Sequence, residues 1–158
     1  MKLMDFVVPE AIIANLSATD RNGVIRELIG ALASSGAIDT DDAETLVKAV
    51  IQRENQGSTG FGKGVAVPHV KHANVKKIMA AVGRSAAGVD FSALDRAPVY
   101  AVVLLASPSD SPDGHLGAME KIFKHLQQDN FRRFLRQAQT SGAIIELLQE
   151  ADESDIKA

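Results

Sequence analysis

The chain contains no cysteine, no tryptophan, a single tyrosine and only five prolines. Without cysteine there is no disulfide framework, no zinc–thiolate site and no thiol nucleophile. Long apolar runs are also lacking. The longest, Val99 to Ala106, has eight residues, whereas a bilayer span needs about 20, so no direct membrane insertion is expected. The opening MKLMDFVVPE has one lysine, then an acid and a proline, and lacks the apolar stretch of a secretory signal. A cytoplasmic location is expected. Basic surplus is missing too: 17 basic and 20 acidic residues leave a net charge of −3, and the six Phe and Tyr100 are scattered. Nucleic-acid binding needs cations for phosphate and aromatics for stacking, so nucleic acid is not an expected partner. What is present suits one domain: 158 residues, 46% hydrophobic and 23% charged, against a usual domain size of ~100–150. A domain over 1–150 and an acidic, frayed tail over 151–158 are expected.

Periodicity supplies the elements. Val24, Leu28, Ala31 and Leu32, widened by Ile25 and Ile29, predict a helix over about Asp20–Ser34. Thr19 or Asp20 would cap it and Gly36 would end it. Asp39-Thr40-Asp41-Asp42 announces a second helix, with Ala43, Leu46, Val47, Val50 and Ile51 as its buried face as far as about Arg53. Glycines 57, 60, 62 and 64 are too dense for a helix. Val65-Ala66-Val67, ended by Pro68, Ile78–Val82 and Val99–Ala106 read as strands, the last apolar enough for a sheet covered on both faces. A polar loop over Ser107–Gly114 leads to a helix from about His115, and shorter helices follow at Asp129–Gln137 and Ser141–Gln149. Helices, then strands, then helices predict a single α/β (α+β) domain, a mixed β-sheet flanked by helices on both sides.

Chemistry concentrates at the histidines. His69 follows a short strand and a proline beside the glycine-rich stretch, a junction where a rigid sheet holds a side chain toward a partner. An imidazole there can act as a base, a metal ligand or a nucleophile. Lys63, Lys71, His72, Lys76 and Lys77 form a basic rim around it, suited to an anionic partner or simply to solvent. His125, near a helix end, reads as a surface residue interacting with the helix dipole.

The segment RENQGSTGFGKGVAVPH, Arg53 to His69, resembles the active-site signature of fructose–mannitol type enzyme IIA domains of the bacterial phosphotransferase system, a class that includes nitrogen-regulatory IIA proteins. Glu54 opens the match, Phe61-Gly62 fill its middle, and Val65-Ala66-Val67-Pro68-His69 close it. The resemblance continues through Asp95, Pro98, Val99, Val102, Leu104 and Leu105 to His115-Leu116 and Met119. One position departs: Val70 stands where a glycine or another small residue is usual, and its β-branched side chain narrows backbone freedom.

The resemblance implies phosphoryl transfer through a phosphohistidine at His69. The donor would be a small histidine phosphocarrier protein, and the recipient a IIB-domain cysteine on a separate chain, in sugar uptake. Arg53 would stabilise phosphate charge and His115 would hydrogen-bond the phosphoryl oxygens. Glu54, Ser58, Thr59 and Gly62 would support the phosphate site, although the hydroxyls and glycines also suit a tight turn. No cofactor is implied. A nitrogen-regulatory output, in which phosphorylation switches the binding of target proteins, is the alternative with the same chemistry. A histidine metal-binding hydrolase, built from His69-x-x-His72 and His115, is a remote third.

Overall fold

Two apolar faces on the central strands require cover on both sides. In β6 (Val99–Pro108), Ala101, Val103 and Leu105 enter one core, whereas Val102, Leu104 and Ala106 enter the other. This is the period-2 alternation of extended backbone. The computed structural model describes residues 1–157, and side-chain surroundings up to Ser154. Its sheet runs β1 (Val7–Ile13), β5 (Met79–Val89), β6, β3 (Val65–Ala66), β2 (Gly60–Gly62), with β4 (His69–His72) also paired to β6. The β1–β5, β3–β6 and β4–β6 pairs are parallel, and the β5–β6 and β2–β3 pairs antiparallel. The sheet is therefore mixed, as expected.

One face is covered by α2 (Arg21–Ser34) and α3 (Ala43–Gln56). Ile25, Leu28, Ile29 and Leu32 are fully buried, each contributing ~1.5–3 kcal/mol by transfer from water. Asp20 caps α2 by accepting the Gly23 N–H at 2.6 Å, and Gly36 ends its turn at φ +83°. The other face carries α1 (Leu3–Phe6), α4 (Pro112–Leu126), α5 (Asp129–Gln137) and α6 (Ser141–Lys157).

Four expectations change. His69, placed by the sequence at a junction beyond the end of a short strand, itself opens β4. Val65 pairs with Ala101 and His69 with Leu105 at one constant offset, so β3 and β4 are one extended line broken at Val67–Pro68. Proline has no N–H for the ladder, while the Pro68 carbonyl still accepts the Leu105 N–H at 3.0 Å. The expected polar loop over 107–114 is shortened from both sides, because β6 runs through Ser107 and α4 starts with Pro112 in its first turn. His125 is buried rather than at the surface, 3% exposed, with its ring 5.5 Å from that of Phe131. The tail expected to fray begins as part of α6: Ala151 and Asp152 are buried, and Asp152 accepts the Leu3 and Met4 N–H groups at 2.7 and 3.0 Å. That contact also holds α1, which together with β1 had no sequence expectation. Among the described residues β1 pairs only with β5, an edge position that tolerates Pro9.

Candidate active site

Strand alternation sends Val67 and Leu105 into the core under α4, so His69 and Ser107 face the same side. His115, in the first turn of α4, comes down onto them. The two imidazole centroids are 5.6 Å apart, and Arg53, from the last turn of α3, joins them in lining a cavity of about 1110 Å³. Its apolar wall includes Leu116, Met119 and Phe123 of α4, and the Phe123 ring packs 5.0 Å from that of Phe61.

Hydrogen bonding sets the His69 tautomer. Nδ1 lies 2.8 Å from the Val67 carbonyl oxygen, and a carbonyl can only accept, so Nδ1 carries the hydrogen. The lone pair is then on Nε2. Burial lowers the His69 pKa below its ordinary value, with the cations of Arg53 and Lys71 acting in the same direction and the Val67 carbonyl and Glu54 opposing. His115 is pushed down to about 4, first by burial and then by its neighbours His69 and Lys71. Both rings are thus neutral near pH 7, the state in which imidazole is a nucleophile or a directed donor.

Ser107, which nothing in the sequence singled out, lies 2.7 Å from His115 Nδ1 and is wholly buried. A hydroxyl can donate or accept here. Its role depends on a residue eight positions away in the chain, so only a strand–helix juxtaposition reveals it.

Of the sequence-predicted residues, His69, His115 and Arg53 meet at the cavity. Glu54, Ser58, Thr59 and Gly62 are not among its lining residues. Glu54 is 2% exposed and accepts the Thr59 N–H at 2.7 Å and the Thr59 hydroxyl at 2.8 Å, which pins the turn after α3. Among the described residues no ion pair or hydrogen bond joins it to Arg53 or to a histidine. Arg53 instead donates to the Gly57 carbonyl at 2.9 Å, and Ser58 donates to the Phe91 carbonyl at 2.6 Å. Gly62, at φ +108°, sits where a Cβ would meet Asp95 at 3.3 Å. These four residues support the loop in this structure.

The expected basic rim is dispersed. Lys71 borders the cavity, Lys77 lines a different depression, and Lys63 lies beside a second cavity. Val70 borders the site, but its side chain joins the core under α2 and α3. His72 is three positions from His69 on one strand and so faces the other way, where its Nδ1 accepts the Asn74 N–H at 3.0 Å. The H-x-x-H is therefore not a ligand pair, and among the described residues no group of three or more His, Cys, Asp or Glu is placed to hold a metal.

A family model described as "Phosphoenolpyruvate-dependent sugar phosphotransferase system, EIIA 2" matches residues 5–151. Among curated proteins, the chain is 32% identical over 152 residues to a fructose-specific EIIABC component from Bacillus subtilis. The match takes in 96% of this chain but spans only 24% of that relative. It is also 30% identical to a nitrogen regulatory protein from Bradyrhizobium diazoefficiens, across 94% of this chain and 95% of the relative. Among solved structures, nitrogen regulatory protein IIA-Ntr from Neisseria meningitidis superposes with a TM-score of 0.82 at 25% identity, covering 91% of this chain and 97% of that one.

Proposed function

The chain belongs to the EIIA 2 family of the phosphoenolpyruvate-dependent sugar phosphotransferase system, and from that premise we propose that it is a phosphocarrier working through His69. The group arrives from the phosphohistidine of a histidine phosphocarrier protein. It leaves to a cysteine of a IIB domain, a residue type this sequence lacks. The observation that carries the reading is the Val67 carbonyl on His69 Nδ1, which leaves Nε2 as the nucleophile beside His115 and Arg53.

In the step, the Nε2 lone pair forms the new N–P bond while the donor's N–P bond breaks and its electrons return to the donor imidazole. No proton has to move. The His69 ring gains positive character, and its Nδ1–H stays hydrogen-bonded to Val67, whose carbonyl dipole stabilises that charge. Phosphoryl transfer depends on alignment and on stabilising charge at the equatorial oxygens. Arg53 supplies a permanent guanidinium for this purpose. Ser107 donates to His115 Nδ1, which keeps the hydrogen on Nε2 and turns that N–H toward the phosphoryl oxygens. The apolar wall of Leu116, Met119 and Phe123 excludes water and so protects a hydrolysable N–P bond.

A regulatory output is the second reading, favoured by the nitrogen-regulatory relative aligned over nearly its whole length. Its chemistry at His69 is the same. Intact-mass spectrometry after incubation with phosphoenolpyruvate, enzyme I and the histidine phosphocarrier protein tests the shared step. One acid-labile phosphoryl adduct is expected on the wild type and none on His69→Ala. A folded wild type that takes up no phosphoryl group refutes the reading. Chasing the phosphorylated protein with a fructose-type IIB domain then separates the outputs, since discharge indicates transport and retention indicates regulation.

A further inference from the structure

A second cavity, of about 720 Å³, lies at the other end of the sheet and shares no lining residue with the first. Val65 borders it, four residues before His69 along the line paired with β6, which puts the two sites roughly 13 Å apart along the strand. Its walls carry five cations, Lys63, Arg84, Arg132, Arg133 and Arg136, and one acid, Asp129. In a protein of net charge −3, this local excess runs against the overall balance.

The partners of these cations leave most of the charge uncompensated. Asp129 is already paired with Arg132, which also donates to the Leu126 carbonyl at 2.8 Å. Arg84 is 8% exposed, and its bonds all go to neutral oxygens: Nε to the Arg136 carbonyl at 2.6 Å, and Nη1 to the Ala14 carbonyl at 3.1 Å and Asn15 Oδ1 at 3.3 Å. Among the described residues no carboxylate bonds it. No buried side-chain nitrogen is left without a partner, so Nη2, which bonds nothing among the described residues, keeps some exposure to solvent, and Arg84 lines the cavity. Arg136 lies 3.6 Å above the Tyr100 ring, a stack that holds its fork in place. Arg133 uses one nitrogen on Asn130 Oδ1 at 3.0 Å. A buried guanidinium without a counter-ion carries a desolvation cost that an anion would relieve.

We propose that this cavity binds a small, multiply charged phosphate-bearing anion, held by Arg84, Arg133 and Arg136. Guanidinium forks match phosphate oxygens two at a time, and a concave site with a buried cation at its wall favours a small ligand over an extended acidic surface. The inference is independent of the chemistry at His69.

The test uses inorganic pyrophosphate as the probe and amide NMR shifts of the full chain as the readout, at low ionic strength. Expected are saturable shifts at Lys63, Arg84, Tyr100 and α5 with a dissociation constant of about 1 mM or tighter. These should be unchanged in His69→Ala and weakened about 10-fold or more in Arg133→Gln/Arg136→Gln. Both arginines are exposed, so that variant should stay folded. Orthophosphate and glycerol phosphate, titrated alongside, distinguish free phosphate from an ester. Shifts centred on His69 and His115, affinity untouched by the arginine changes, or no saturation would overturn the proposal. A response to poly-glutamate without one to pyrophosphate would overturn it in favour of an acidic protein partner.

Discussion

Replacing Ser107 with alanine removes one oxygen and tests how His115 is held. Ser107 is wholly buried, and its Oγ is 2.7 Å from His115 Nδ1. Loss of that bond leaves a buried ring nitrogen without its partner, at a cost of ~1–3 kcal/mol. Stability should fall by that amount. The functional cost is distinct, because without a donor at Nδ1 the hydrogen redistributes between the two nitrogens and Nε2 no longer faces the phosphoryl group as a fixed donor. A charge-assisted hydrogen bond lost only from the transition state amounts to ~1.5–3 kcal/mol, a slowing of about 10- to 100-fold. Rapid-quench phosphorylation by the phosphorylated carrier protein reads this directly. A double change separates it from a packing defect: if Ser107 acts through His115, Ser107→Ala should slow transfer no further in a His115→Ala background. Ser107→Thr, which keeps the hydroxyl, should transfer near the wild-type rate. A folded Ser107→Ala protein with wild-type kinetics at pH 7 would refute the proposed orientation.

Three further outcomes follow from the geometry. Glu54→Ala removes the acceptors of both the N–H and the hydroxyl of Thr59, so it should lose ~1–3 kcal/mol and about 3–10 °C in Tm, measured by calorimetry. Acid should destabilise the fold through its histidines. His115 is held at about 4 and His69 is lowered, so the unfolded chain binds protons first. Stability is complete above the ordinary histidine pKa and is lost as pH falls from about 6.5 to 4. For His115 the full linkage is about 3 kcal/mol, reduced to about 1–2 by water at the cavity mouth. Urea midpoints across that range should show this loss, and His115→Gln should flatten it. Gly88→Ala places a Cβ 2.8 Å from Pro98 Cβ at a φ of +86°, combining a left-handed backbone with a rigid neighbour. It should cost ~2–4 kcal/mol, and a Tm within 2 °C of wild type, against the larger drop this cost implies, would contradict the packing described.

Much of this was legible in the chain. The α2 stripe, its Asp20 cap and the Gly36 stop are local patterns, and local patterns survive folding. The unbroken apolar run Val99–Ala106 signalled a strand with two buried faces, which in turn called for helices on both sides of the sheet. The glycine-spaced run from Arg53 to Val67-Pro68-His69 drew attention to the segment whose two ends line the candidate site, because backbone and side-chain requirements there are tied to short spacings. β1 escaped notice because Pro9 and Glu10 interrupt its apolar pattern, and it needs only one partner at the edge. His125 looked exposed because a histidine at a helix end is ambiguous until Phe131 is seen to pack against it.

Tertiary structure alone decided which nitrogen of His69 is free, since the answer lies in a carbonyl two residues back whose direction depends on the break at Pro68. It also brought Ser107 to His115, set Glu54 against Thr59 in the turn after α3, and gathered Arg84 of β5 with the arginines of α5. Hydrophobic periodicity and capping are one-dimensional because each depends on neighbours within a turn or a strand. Hydrogen-bond direction, burial and uncompensated charge depend on groups far apart in the chain, and they acquire values only once the sheet and its helices have been assembled.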